Sequence, residues 1–160
     1  ALYFADPEGN GIEIYYDRPK AGWIWNDNKV KMDTLEVDAN NLVEQRSENG
    51  WQGMPDDAKI GHLHLKAADI GQSRHYYLDE LGLDHVSDLP QAVFMSTNHY
   101  HHHIAFNTWQ SNMLRQNNSQ SLGLTHIEIY KPNAQETQFI GPEGFEILVH
   151  SNTHLVADKD

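Results

Sequence analysis

The sequence predicts an α+β fold built from a repeated β-α-β-β-β unit. Three observations lead there. Residues 60–108 carry strand, helix and three further strand signals in that order. Two strand openings are alike, Gly61-His62-Leu63-His64-Leu65 and Leu124-Thr125-His126-Ile127-Glu128-Ile129. Two strand closings are alike, Asp6-Pro7-Glu8-Gly9 leading to Glu13 and Gly141-Pro142-Glu143-Gly144 leading to Glu146. Similar segments at separate places in one chain are the mark of a repeat.

The elements follow in order. Residues 1–5 and 11–16 read as short strands around the turn chemistry of Asp6-Pro7-Glu8-Gly9-Asn10-Gly11, and Asp17-Arg18-Pro19 ends this unit. Residues 1–19 are thus the closing strands of a preceding unit. Residues 20–59 read as a surface-packed linker with one short helix, capped by Asp38 and followed by Ala39 to Arg46. Between Ile60 and Ala67 the side chains alternate, with Ile60, His62, His64 and Lys66 on one face. Asp69 then caps a helix through Leu81, and Gly82 stops it. Strand candidates at 85–87, 92–96 and 101–108 complete the unit. Residues 109–121 form an Asn/Gln/Ser-rich loop. Residues 122–160 hold a strand at 122–130, another at 145–150 and a tail. About fifteen residues separate those strands, too few for a helix and two strands, so the last unit is incomplete or degenerate.

Composition narrows the function classes. A chain of 160 residues can bury a core, and 39% hydrophobic with 21% charged residues is ordinary for a globular protein. No apolar run has membrane-spanning length. Eleven Lys and Arg against 23 Asp and Glu give a net charge of -12, the wrong sign for nucleic acid or an anionic membrane surface. Absence of cysteine removes disulfides, thiolate sites and thiol nucleophiles. Any metal must then sit on His, Asp, Glu or water, which suits Fe(II), Mn(II) or Zn(II). The opening residues lack a signal-peptide pattern, so a cytoplasmic protein is expected.

The β-α-β-β-β unit, His62 with Asp69 seven residues on, the helix end Tyr76-Tyr77-Leu78-Asp79-Glu80-Leu81-Gly82 and the closing strand Asp6-Pro7-Glu8-Gly9-Asn10-Gly11-Ile12-Glu13 resemble the vicinal oxygen chelate superfamily. That superfamily includes glyoxalase I, bleomycin-resistance proteins and type I extradiol dioxygenases. The run Tyr100-His101-His102-His103-Ile104-Ala105-Phe106-Asn107 resembles the histidine strand of its catechol 2,3-dioxygenase-like members. The resemblance implies units pairing into a cupped mixed sheet. It also implies a full length about twice that of this chain, which would run from the end of a second module through a third into a shortened fourth.

The resemblance further implies a divalent metal held by two first-strand histidines and one last-strand glutamate, most suitably Fe(II), with Mn(II) as the alternative. His62 matches the histidine and Glu13, six residues after Pro7, the glutamate. Tyr3 matches a tyrosine that hydrogen-bonds substrate. In the last unit the same offsets from Pro142 fall on Leu148 and Gln138, both departures. Two pairings stay open. The preferred one uses Glu13, His62 and a histidine preceding Ala1; the other uses His62, His126 and Glu146. Against the ligand roles stand a strand histidine satisfied by a neighbour and a solvated acid near a turn. By motif His103 matches the catalytic acid/base, and an imidazole suits proton transfer near neutrality; a solvated three-histidine run is the plainer reading. Period-2 alternation places His101, His103, Ala105 and Asn107 on one face and His102, Ile104 and Phe106 on the other. The expected partners are a small aromatic diol and O2, with room for a homo-oligomer. The alternatives are a glyoxalase-type lyase or isomerase and a metal-free ligand-binding module.

Overall fold

The computed structural model describes residues 1–111 and 122–151. The part of the expected loop at 112–121 and the tail at 152–160 lie outside the described residues.

The mixed α+β fold is present. Strands β1 (Leu2–Ala5) and β2 (Gly11–Ile14) form an antiparallel hairpin in which Tyr3 pairs with Glu13. Its loop is held by Asp6, whose Oδ1 accepts from the backbone N–H groups of Glu8 (2.9 Å) and Asn10 (2.8 Å). Strands β3 (Trp25–Asn26) and β4 (Lys29–Val30) make a second hairpin, and α1 (Ala39–Glu44) follows with Asp38 capping the N–H of Asn41.

The complete unit comes next: β5 (Leu63–Lys66), α2 (Ile70–His75), β6 (Asp84–Leu89), β7 (Ala92–Ser96) and β8 (Ile104–Asn107). Asp69 Oδ1 caps α2 by accepting from Gly71 and Gln72. After His75 the helix widens, so that the N–H of Leu81 reaches the carbonyl of Tyr76 five residues back at 3.2 Å. Gly82 then leaves at φ +70°, a conformation glycine takes at no cost. The sheet order is β5-β8-β7-β6, with β5 parallel to β8 and the other pairs antiparallel.

The last unit repeats part of that order. Strands β9 (His126–Lys131), β10 (Thr137–Ile140) and β11 (Glu146–Ser151) lie as β10-β11-β9, with β9 parallel to β11. First strand beside last strand, then the strand before it, is the arrangement of β5-β8-β7. Among the described residues, the helix and one hairpin strand have no counterpart. The sequence reading missed β10 and began β9 four residues early.

Alternation sorts the side chains. Leu65, Val93, Met95, Ile104 and Phe106 turn toward α2 and share a core with Tyr77, Leu81, Ile127, Phe145, Ile147 and Val149. The opposite face carries Val86, Ala92, Phe94 and Ala105, which the β3–β4 hairpin covers through Val30, Trp25 and Met32. Within the segment read as a surface-packed linker, residues 20–59, this hairpin is a separate two-stranded sheet laid over the face of the larger one. Its turn residues Asp27 and Asn28 both have positive φ, the geometry of a two-residue hairpin that matches strand twist. Among the described residues, no helix is long and apolar enough to cross a membrane.

Candidate active site

The site forms where the β1–β2 hairpin meets the entry of β5. Beyond β2 the chain keeps an alternating exposure: Glu13, Tyr15 and Asp17 are half-buried, while Ile14, Tyr16 and Arg18 are exposed. Residues two apart on an extended chain share a face, and each of these three meets the complete unit. Glu13 Oε2 lies 3.0 Å from His62 Nε2. The Tyr15 ring packs on His62 with centroids 4.9 Å apart, and its hydroxyl is 2.9 Å from that of Tyr100. Asp17 accepts from the Tyr100 hydroxyl at 2.8 Å and faces His101 Nε2 at 2.8 Å.

Gly61 permits this approach. A Cβ there would overlap the Tyr15 hydroxyl and come within 2.7 Å of the ring carbon bearing it. The glycine before the ligand-candidate histidine thus makes room for the neighbouring hairpin.

His62 is almost enclosed, with its side chain 6% exposed against 25% for Glu13. Its Nδ1 is buried without a hydrogen-bond partner. Tyr3 donates its hydroxyl to Glu13 Oε1 at 3.2 Å and stands on the exposed rim. Burial, followed by the charge of Glu13, raises the Tyr3 phenol above its ordinary range.

The three consecutive histidines do not follow the alternation expected of them. The strand begins only at Ile104, and the chain before it bends, with Asn98 and His99 at positive φ and the N–H of Tyr100 bonded to the carbonyl of Thr97. His102 crosses to the Ala105 side: its ring is 4.2 Å from that of His62 and 5.2 Å from Phe94. The expectation that His102 shares a face with Ile104 and Phe106 is corrected. His103 turns its Nδ1 to the Ser96 hydroxyl (2.9 Å) and the Thr97 N–H (3.3 Å), and stacks on Tyr100. It lines a recess with His62, Ile127 and Tyr130. Burial and then the surrounding imidazoles push His102 down to about 2, and burial depresses His103 and His64 too.

The other candidates fall elsewhere. His126 and Glu146 are neighbours in register between β9 and β11, yet Glu146 bonds the Gln138 amide, while His126 is 3.5 Å from Glu128. Among the described residues, no three His, Asp or Glu side chains converge closely enough to hold an ion by themselves. Glu13 and His62 do offer what two positions of a mixed N/O site need: a carboxylate oxygen and a facing imidazole nitrogen in a shielded place. Sequence reasoning missed His102 and Asp17. For Asp17 the available signal was its spacing, four residues after Glu13 on the same extended face.

No family model matches the chain. A catechol-2,3-dioxygenase of Bacillus subtilis (strain 168) is 33% identical over 165 aligned residues, covering 99% of this chain and 58% of that protein. The chain thus spans somewhat more than half the length of this relative. A lactoylglutathione lyase from Agrobacterium tumefaciens shares 17% identity, covers 65% of this chain and 99% of its own, and superposes with a TM-score of 0.44. An integron cassette protein of V. cholerae shares 14% identity over 61% of this chain and 97% of its own, with a TM-score of 0.40.

Proposed function

We propose that this chain, similar over 99% of its length to part of a catechol-2,3-dioxygenase, belongs to the vicinal oxygen chelate superfamily, and that the intact protein is a metal-dependent extradiol dioxygenase acting on a catechol-like substrate. The observation that carries this reading is the Glu13–His62 pair, 3.0 Å apart and walled by imidazole and phenol rings.

Glu13 and His62 would hold the metal, Fe(II) in first place and Mn(II) in second. When bound, such an ion supplies open positions at which a vicinal diol chelates and O2 is activated. The remaining work belongs to this chain's side chains. Tyr3 steadies the Glu13 carboxylate with its one hydroxyl hydrogen and, from the rim, can accept from a substrate hydroxyl on its oxygen. The Tyr15 and His102 rings close two sides of His62 and exclude water from it. His102, whose ring stands 4.2 Å from that of His62, is placed to accept the phenolic hydrogen released by the substrate and to return it when the ring opens. His103, the candidate by motif, has its Nδ1 committed to Ser96 and Thr97; its Nε2 remains the competing acceptor.

The test is to load full-length protein with Fe(II) under anaerobic conditions, add catechol and air, and follow the yellow ring-fission product. Product from wild type and loss with His62→Ala or Glu13→Gln is expected. Metal uptake without ring opening would replace this reading with the lyase one, and failure to take up metal would leave only ligand binding. Comparing His102→Phe with His103→Phe assigns the proton-transfer role. Retained metal with turnover lost only in His102→Phe is expected.

A further inference from the structure

The hydrogen-bonded series from Asp17 to His102 has a direction, which follows from counting hydrogens. The Asp17 carboxylate accepts on both oxygens: Oδ2 takes the Tyr100 hydroxyl hydrogen, and Oδ1 lies 2.8 Å from His101 Nε2. His101 must then carry its hydrogen on Nε2, which leaves Nδ1 of the neutral ring bare. His102 Nδ1 lies 2.8 Å from that bare nitrogen. When both rings are neutral, one of the two must supply a hydrogen, and only His102 has one to give. A neutral ring protonated on Nδ1 keeps Nε2 unprotonated.

We infer that Asp17 is a positioning residue: by fixing the His101 tautomer it fixes that of His102, so that His102 meets the site with a bare Nε2. A carboxylate setting the tautomer of an imidazole is a general device; here it acts through a second imidazole. The surroundings hold each member in place. His101 is stacked by Tyr100 at 4.2 Å and met by Trp23 at 5.2 Å and Tyr15 at 5.9 Å. The Trp23 indole donates to the carbonyl of Arg18 at 3.0 Å, pinning the residue next to Asp17. The His102 ring is in turn fixed between His62 and Phe94. The catalytic meaning of the bare nitrogen rests on the ring-cleavage reading, but the tautomers themselves do not.

Two-bond proton–nitrogen correlation spectra of metal-free, full-length protein with 15N-labelled histidine read both tautomers, at about pH 8 where free imidazole is neutral. Single-histidine variants assign the signals. Wild type is expected to show His101 hydrogenated on Nε2 and His102 on Nδ1. In Asp17→Ala the His102 preference should decay to the mixture of an unconstrained ring. Asp17→Asn retains an oxygen able to accept from His101 and should keep part of the preference. His102 hydrogenated on Nε2 in wild type would overturn the inference, whatever the variants do. So would unchanged tautomers in a folded Asp17→Ala. Because neither metal nor substrate is present, inability to open catechol leaves this result standing, and the reverse also holds.

Discussion

The first strands of the two units carry the same histidine and end in different chemistry. His62 on the entry of β5 is 6% exposed at the side chain, faces Glu13 and is packed by three rings. His126 on β9 is 46% exposed and has Glu128 and Thr125 as polar neighbours. The preceding residue shows why. Gly61 leaves space for Tyr15 of the neighbouring hairpin, whereas the matching position before His126 is Thr125. A first-strand histidine thus becomes part of a site only where a second unit brings a carboxylate and aromatic cover to it.

That contrast can be broken or sharpened in several ways. The largest effect lies in the core that only the complete unit buries on both faces. Phe106→Ala should cost about 3–5 kcal/mol in chemical denaturation. Phe139→Ala, at the one half-buried residue of the otherwise exposed β10, should cost about half as much, by its smaller buried area. Equal losses would mean that the shortened unit carries as much of the fold.

Next comes metal affinity. Losing residues that merely support a ligand costs about 10–100-fold, so His62→Ala or Glu13→Gln should weaken Mn(II) binding by at least about 100-fold in calorimetric titration. His126→Ala should leave it within about threefold, since that ring lies outside the pair. A reversed order would move the site to the last unit.

Gly61→Ala should cost about 1–3 kcal/mol in thermal melts, because the added methyl drives Tyr15 from its place. Tyr15→Phe in the same background should recover part of the loss by removing the overlapping hydroxyl. Thr125→Ala in the other copy should be nearly silent.

The smallest effect concerns Glu143, a buried acid clipping the turn before β11 to α2. Its carboxyl meets the hydroxyls of Ser73 and Tyr77. Ser73 also lies 3.0 Å from the carbonyl of Asp69 but owns a single hydrogen, so all bonds are made only when Glu143 carries a proton. Burial raises this carboxyl above its ordinary value despite those bonds. A folded-state value above the unfolded one gives stability present at pH below the unfolded value and lost as pH rises through the folded one. Glu143→Gln should therefore stabilise the protein on the order of 1 kcal/mol at neutral pH and be neutral below about pH 4, in denaturation curves across that range. A pH-independent difference would remove the titration from the account.

Much of the complete unit was legible because its signals are local. Alternation from Ile60, the Asp69 cap and the Gly82 stop each act within a turn or a strand, and each element follows. The Glu13–His62 approach was expected only through the resemblance, since nothing local ties residues 49 positions apart. The β3–β4 hairpin was missed because its strands are two residues long, too short for a period to register. β10 was missed because four residues after Pro132-Asn133 show no clear alternation. The His101–His103 faces were misjudged for a different reason: alternation belongs to extended backbone, and the chain straightens only at Ile104. Asp17, followed by Arg18-Pro19, reads as the end of a unit, although its spacing from Glu13 holds the hint.

The alternating run Glu13, Tyr15, Asp17 has one more consequence. All three contacts ride on a single stretch of backbone, so they cannot be adjusted one at a time. A slip of one residue in β2 would turn all three side chains to solvent together and leave His62, Tyr100 and His101 facing Ile14 and Tyr16 instead. Misassembled molecules would thus lose the whole site rather than keep a weakened one, and the hairpin docks as a key that either seats fully or leaves the lock empty.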